Sequence, residues 1–268
     1  RLSREASTLS PSALSQRLPT AALPAELSDL VHSFNGALDR LETAYQQLES
    51  FNADVTHELR TPLTNMIGQT QVALSRERSA PELQDVLQSN LEELERLRAI
   101  VNDMLFLARA DLGERPQRLE PASLAAEVRK SIEFLDFLMD EVHVQVRVQG
   151  DAQAWIERAL FGRAVTNLLH NAIRHADARS EIVVHLSADA SSARIAVSNP
   201  GPEIPPEHVP RLFDRFYRVD SARPNSGEQH GLGLAIVKAV AAMHSGQVFA
   251  SSRGGITTVG FSVAAERS

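Results

Sequence analysis

The sequence predicts a helical hairpin that dimerises into a four-helix bundle, followed by an α/β sandwich. Three observations lead there. Apolar residues recur every seven positions through two long stretches, Ala25 to about Arg76 and Pro81 to about Ala110. A single turn, Ser79-Ala80-Pro81-Glu82, separates the two. Beyond Gly113 and Pro116 the pattern changes to short alternating runs mixed with helical ones.

To about Leu23 the chain is rich in Ser, Pro and Ala, and Pro11, Pro19 and Pro24 argue against one uninterrupted helix. In the first helical stretch Leu38, Tyr45, Asn52, Leu59 and Met66 form one row. Leu41, Leu48 and Val55 form its companion, which Pro62 continues. These rows read as the a and d seam of a helix that packs on other helices. Asn52 and Pro62 are flaws in the seam, and Pro62 is expected to bend the helix. Pro81 stands near the first position of the second helix. There Leu87, Leu94, Val101 and Ala108 repeat, as do Leu97 and Met104, and Gly113 and Pro116 close the helix. A lone hairpin cannot cover both of its apolar faces, whereas two together can, so a homodimer is expected.

Downstream, Val142 to Val148 alternates apolar and polar residues as a half-buried strand does. Ile182 to Leu186, Arg194 to Val197, Gln247 to Ser251 and Thr257 to Val263 are further strands; Ile156 to His175 and Leu232 to His244 are helices. Such a mixture implies helices on one face of a sheet. The expected organisation is an amino-terminal segment and helix over 1–47, the hairpin over 48–112, a linker over 113–120 and the sandwich over 121–268.

Composition narrows the function. The 268 residues suit two or three modules, and 43% hydrophobic with 23% charged residues is ordinary globular material. A formal net charge of -7 without a basic stripe excludes general nucleic-acid binding. With no cysteine, disulfides, thiolate zinc sites and a cysteine nucleophile are excluded. No run approaches the roughly 20 apolar residues that span a bilayer, and no signal peptide is visible. The chain begins at Arg1, as expected of a fragment.

Three constellations carry chemistry. The first is HELRTPL, His57 to Leu63. In the heptad frame His57 falls at f, facing away from the seam. An exposed imidazole near its ordinary pKa is a competent nucleophile. Glu58 beside it can take the proton on one ring nitrogen, and the Thr61 hydroxyl lies one turn on. Alone, a His-Glu pair on a polar helix face is far more often a solvated surface. The second is NLLHNAIRHA, Asn167 to Ala176. Asn167 and Asn171 are four apart, with Arg174 and His175 one turn further, so one helix face offers amide oxygens and then cationic or hydrogen-bonding groups. Alone, an Asn pair is more often a cap or a surface feature. The third is Gly231-Leu232-Gly233-Leu234, which opens a helix where exposed N–H groups suit phosphate. By itself it is also what a plain turn looks like.

Together these strings resemble the sensor histidine kinases of two-component systems over nearly the whole chain, in the right order. FNADVTHELRTPLTNMIG, Phe51 to Gly68, resembles their phosphoacceptor box. By that resemblance His57 accepts the phosphoryl group, Glu58 is its acid-base partner, Thr61 supports dephosphorylation of a partner's phospho-aspartate, and Pro62 is the helix-bending proline. Asn167 to Ala176 resembles the N box. The resemblance implies Mg²⁺ on Asn171, with Asn167, Arg174 and His175 contacting metal or phosphates. LFDRFYRVD, Leu212 to Asp220, then Ser221 to His230 and Gly231 to Leu234, resemble the F box, ATP lid and G2 box. Phe213 and Phe216 are expected to pack the lid's base, and Arg218, Gly231 and Gly233 to contact the nucleotide. Asn199-Pro200-Gly201-Pro202-Glu203 stands where the G1 box usually reads D-x-G-x-G. Asn199 would accept from the adenine amino group without charge assistance, Gly201 is kept, Glu203 replaces the second glycine, and Gln229 stands in place of the first glycine of the G2 box. The Asn-Pro-Gly variant is similar to that of the heavy-metal branch. Leu14 to Glu42 resembles the second half of a HAMP linker.

The implied fold of the sandwich is the gyrase/chaperone/histidine-kinase type. The implied activity is autophosphorylation of His57 from ATP with Mg²⁺, then transfer to an aspartate on a response regulator receiver domain. The implied setting is the cytoplasmic side of a bacterial inner membrane, with the membrane touched only through segments outside this sequence. Two rivals are a gyrase-like or chaperone-like ATPase, which would lack HELRTPL on a preceding helix, and a non-enzymatic dimeric scaffold, motivated by the altered G1 and G2 boxes.

Overall fold

The computed structural model describes residue 17 and residues 25–219 and 230–265. It divides into two compact units, Arg1–Gln71 and Val72–Ser268.

Helix α1 runs Ala25–Leu74 with Pro62 inside it. Pro62 supplies no N–H to the carbonyl of Glu58, one turn back. Val31 and Leu38, seven apart, are buried, while Leu41, Tyr45, Leu63 and Ile67 are exposed. A helix with apolar rows left in water is one that needs partners.

Helix α2, Ala80–Asp111, starts on a complete capping box. The Ser79 hydroxyl accepts from the Glu82 N–H, and the Glu82 carboxylate accepts from the Ser79 N–H. The bond from the Ser79 N–H, and then one donated by the Ser79 hydroxyl, hold the Glu82 carboxyl below its ordinary pKa. Along α2 the expected seam residues Leu87, Leu94 and Val101 are exposed, and Leu83, Leu91 and Leu105 with them. The buried residues are instead Ile100 and Leu107. Asp103 lies on the same side as these two by helical spacing, Phe106 borders it on the next row, and both meet Arg163. The face carrying Ile100 and Leu107 is thus turned to the rest of its unit, where α2 packs on the helix Gly233–Met243.

After α2 the chain turns at Gly113, whose φ of +82° suits glycine. Strand β1, Glu120–Ser123, pairs antiparallel with β3, Gln153–Ile156. Glu120, assigned to the linker from sequence, is therefore the first residue of a strand. Between them lie α3, Leu124–Phe134, α4, Asp136–Val142, and β2, Gln145–Gln149. Val142 ends a helix rather than starting a strand, and His143 after it turns the chain in the left-handed region. Helix α5, Arg158–His175, buries Phe161, Ala164, Val165, Leu168, Leu169, Ala172 and Ile173, the spacing of one apolar face. Its expected first residue, Ile156, belongs to β3.

The main sheet has the order β2-β4-β5-β7-β6, with β4 Glu181–Ala188, β5 Ser192–Pro200, β6 Val248–Arg253 and β7 Ile256–Ala264. Only β2 and β4 pair in parallel. Ile182, Val184 and Leu186, then Ala193, Ile195 and Val197, then Val259, Phe261 and Val263 are buried at alternate positions, with Gly260 buried as well. Helix α6, Gly233–Met243, and helix α5 pack on each other and on this sheet. The Phe161 and Phe261 rings meet 5.7 Å apart between α5 and β7. The α/β sandwich expected from sequence is thus present, with an additional two-stranded sheet.

Candidate functional site

The phosphoacceptor segment lies wholly in the first unit, on α1. His57 is exposed, as its f position requires, and Glu58 is half-buried. The Thr61 hydroxyl donates to the His57 carbonyl at 3.3 Å. That bond holds the hydroxyl one turn from the imidazole, on the stretch where Pro62 interrupts the ladder.

The nucleotide residues lie in the second unit, where close backbone approaches join three separate stretches. The Asn167 amide donates to the Arg163 carbonyl at 2.9 Å, which fixes its rotamer along α5. Its oxygen then abuts Gly233, where a Cβ would lie 2.7 Å from it. Gly233 opens α6 with no side-chain cap on the helix's first N–H groups. At the other end of α5, the His175 carbonyl oxygen would sit 2.3 Å from a Cβ on Gly201. Gly201 is further tied by its N–H to the Gly255 carbonyl, and the Asp177 N–H donates to the Pro200 carbonyl. The N-box helix thus touches the G2 glycine near its middle and the G1 glycine at its end. Asn171 lies between, half-exposed and four residues from Asn167. Arg174 is half-exposed and the His175 side chain is exposed.

Asn199 is buried, 4% exposed, near the end of β5. Its amide nitrogen donates to the Pro200 carbonyl at 3.3 Å, which leaves the side-chain oxygen as an acceptor. Directly across the ladder stands Thr257, also buried. The Thr257 and Ser252 hydroxyls are hydrogen-bonded at 2.8 Å, and Ser252 accepts from the Ile204 N–H, so this polar floor also holds the G1 loop. The sequence reading missed Thr257 and Ser252. Strand pairing, not any local motif, puts them beside Asn199.

The F-box end of the lid is described to Val219. Phe213 is buried, as expected of a residue packing the lid's base. The Phe216 N–H donates to the Gly231 carbonyl at 2.9 Å, so the stretches on either side of 220–229 are joined. Arg218 is half-exposed. The lid itself over 221–229, Asp220, Gln229, and the part of the HAMP-like segment that precedes Ala25, Arg17 apart, fall outside the described residues.

Comparison with known proteins decides the family. The model described as "His Kinase A (phospho-acceptor) domain" matches residues 47–113, and that described as "Histidine kinase-, DNA gyrase B-, and HSP90-like ATPase" matches residues 156–267. The chain is 44% identical over 252 residues to sensor histidine kinase CusS of Escherichia coli strain K12, covering 94% of this chain and 52% of CusS. It is 41% identical over 251 residues to sensor protein CzcS of Cupriavidus metallidurans, covering 94% of this chain and 53% of CzcS. This chain belongs to the sensor histidine kinases.

The kinase chain spans about half the length of these curated relatives. Its architecture matches the crystal structure of histidine kinase ThkA in complex with response regulator protein TrrA, with a TM-score of 0.65 at 21% identity, covering 85% of this chain and 64% of that one. Among the described residues of the kinase no helix is long and apolar enough to cross a membrane. Nor does any group of three or more His, Cys, Asp or Glu form that could hold a metal.

Proposed function

We propose that this chain binds ATP in the sandwich and transfers its γ-phosphoryl group to His57. A nitrogen of the His57 imidazole forms the new bond to phosphorus as the bond to the ADP oxygen breaks. Glu58 accepts the ring proton and keeps the attacking nitrogen electron-rich. The chemistry asks little else of the protein than positioning and charge neutralisation. The observation that carries the reading is the convergence of Asn167 on Gly233 and of His175 on Gly201. It brings the N, G1 and G2 boxes together.

Asn171 fits Mg²⁺. It offers a neutral amide oxygen on a half-exposed helix face, and oxygen ligands suit that cation. The metal would supply neutralisation of phosphate charge. Asn167, Arg174, His175 and Arg218 serve the phosphates, Asn199 and Gly201 the adenine, and the backbone at Gly231 and Gly233 lets phosphate approach.

The phosphoryl group then passes to an aspartate of a response regulator, a reading supported by the fold shared with ThkA, which was solved with its regulator. Thr61 serves the hydrolysis of that aspartyl phosphate, its hydroxyl placing the water whose oxygen bonds to phosphorus as the bond to the aspartate oxygen breaks, which releases inorganic phosphate. Dimerisation through the exposed rows of α1 and α2 is supported by the match to the phosphoacceptor domain. A HAMP origin for the amino-terminal segment rests on the resemblance of the stretch from Leu14 to Glu42 to such a linker. The same reading sets the chain on the cytoplasmic side of a bacterial inner membrane.

Autophosphorylation with γ-labelled ATP and Mg²⁺ tests this. Acid-labile, alkali-stable label on the parent chain, absent in His57→Gln and in Asn171→Ala, is the expected result. A folded parent chain that takes no label replaces the kinase reading with that of a dimeric scaffold.

A further inference from the structure

Phe216 has a backbone φ of +59°, a left-handed conformation that aromatic residues rarely adopt. Such strain persists only where the surroundings over-determine it, and it gathers at functional sites. Here both flanks hold it. On one side the Phe216 N–H donates to the Gly231 carbonyl. Gly231, at φ +65°, presses so close that a Cβ would lie 2.6 Å from the Phe216 carbonyl carbon. On the other side Tyr217 is gripped twice. Its hydroxyl is hydrogen-bonded to Nδ1 of His208, and the Arg211 guanidinium stands 4.1 Å from the centre of its ring.

The grip is itself anchored. The His208 N–H donates to the Pro205 carbonyl, the Arg211 N–H to the His208 carbonyl and the Asp214 N–H to the Arg211 carbonyl. The loop from Pro205 to Tyr217 is thus wound on its own backbone, with Phe213 buried beneath. The bond at the tip of Tyr217 fixes how far the ring reaches, and the cation on its face fixes the ring plane.

We propose that Tyr217 is a positioning residue for phosphoryl transfer. Gripped by His208 and Arg211, it fixes the direction in which the chain leaves Phe216 and so sets where Arg218, the next residue, presents its guanidinium to the phosphates. The inference rests on the reading of Arg218 as a phosphate contact. A cation stabilises developing charge best when it is delivered to a fixed place. The Arg218 side chain is long and rotatable, so its backbone is the part that the fold can fix.

Autophosphorylation kinetics of the full chain test this with Tyr217→Phe, His208→Ala, Arg218→Ala and the double variant Tyr217→Phe/Arg218→Ala. Tyr217→Phe keeps the ring under Arg211 and removes only the hydroxyl. It is expected to lower kcat about fivefold to tenfold, with KM for ATP changed less than about twofold, as for the loss of one hydrogen bond felt in the transition state. His208→Ala breaks the same bond from the other side and is expected to match it, which separates the effect from misfolding of either variant. Arg218→Ala lowers kcat further, and Tyr217→Phe adds nothing in that background. Effects that multiply in the double variant, or a Tyr217→Phe chain as fast as the parent, overturn the inference. An Arg218→Ala chain as fast as the parent overturns the reading of Arg218, and this inference with it.

Discussion

The amide oxygen of Asn167 occupies the space that any side chain on Gly233 would need, 2.7 Å from the position of a Cβ. Asn167 has little freedom to move aside, because its nitrogen is bonded to the Arg163 carbonyl. Gly233→Ala is therefore expected to push the start of α6 off α5 and weaken ATP binding by about tenfold or more, the effect of an ångström-scale misplacement. Calorimetric titration with ATP measures it. Asn167→Ala in the same chain relieves the clash and recovers thermal stability but not affinity.

Gly201 meets a harder obstacle. A Cβ there would lie 2.3 Å from the His175 carbonyl oxygen, which is backbone and cannot rotate away. Gly201→Ala is expected to cost about 2–3 kcal/mol of stability, in the range of overpacked sites. Urea denaturation reads that cost directly.

His244 couples stability to pH. It is buried, its Nδ1 donates to the Val240 carbonyl, and its Nε2 accepts from the Glu157 N–H at 3.1 Å. Burial pushes the imidazole below its ordinary value of 6.5, against the opposing pull of the Val240 carbonyl and the Glu157 carboxylate. The unfolded chain thus takes up this proton at a higher pH than the folded one. The contribution is full above about pH 6.5 and is lost as pH falls from there through the folded value. Stability measured by urea at pH 7.5 and at pH 5.5 is expected to fall, and to fall less in His244→Gln.

Arg163 joins α5 to α2 in two ways. It pairs with Asp103 at 2.5 Å, and its guanidinium lies 4.1 Å from the centre of the Phe106 ring. Removing both contacts in Arg163→Ala is expected to cost about 1–2 kcal/mol, and Asp103→Asn less than about 1 kcal/mol because only the half-exposed ion pair is lost. Denaturation in low and in 1 M salt separates the two parts, since salt screens the ion pair and spares the ring contact.

Where the sequence carried a long period or a strict alternation, it was read to within a few residues. Helices α1, α2, α5 and α6 and strands β4 to β7 are of this kind. The short β1 and β3 and the helices α3 and α4 were not read. Glu120-Pro121-Ala122-Ser123 has no alternation to show, and β1 exists because β3 pairs with it. The glycines and asparagines of the nucleotide site were legible because such close approaches admit few residue types. The polar floor of Thr257 and Ser252 was not, because it depends on which strands meet. Nor was the turn at Phe216, because nothing in the residue type announces a left-handed phenylalanine.

Helix α2 carries two apolar stripes at once. One contains Leu94 and Val101 and lies open; the other contains Ile100 and Leu107 and is covered. Ile100 and Val101 are neighbours in sequence, so the stripes stand about 100° apart around the helix axis. The helix works as a camshaft does. Turning it about its own axis to reseat one stripe would unseat the other.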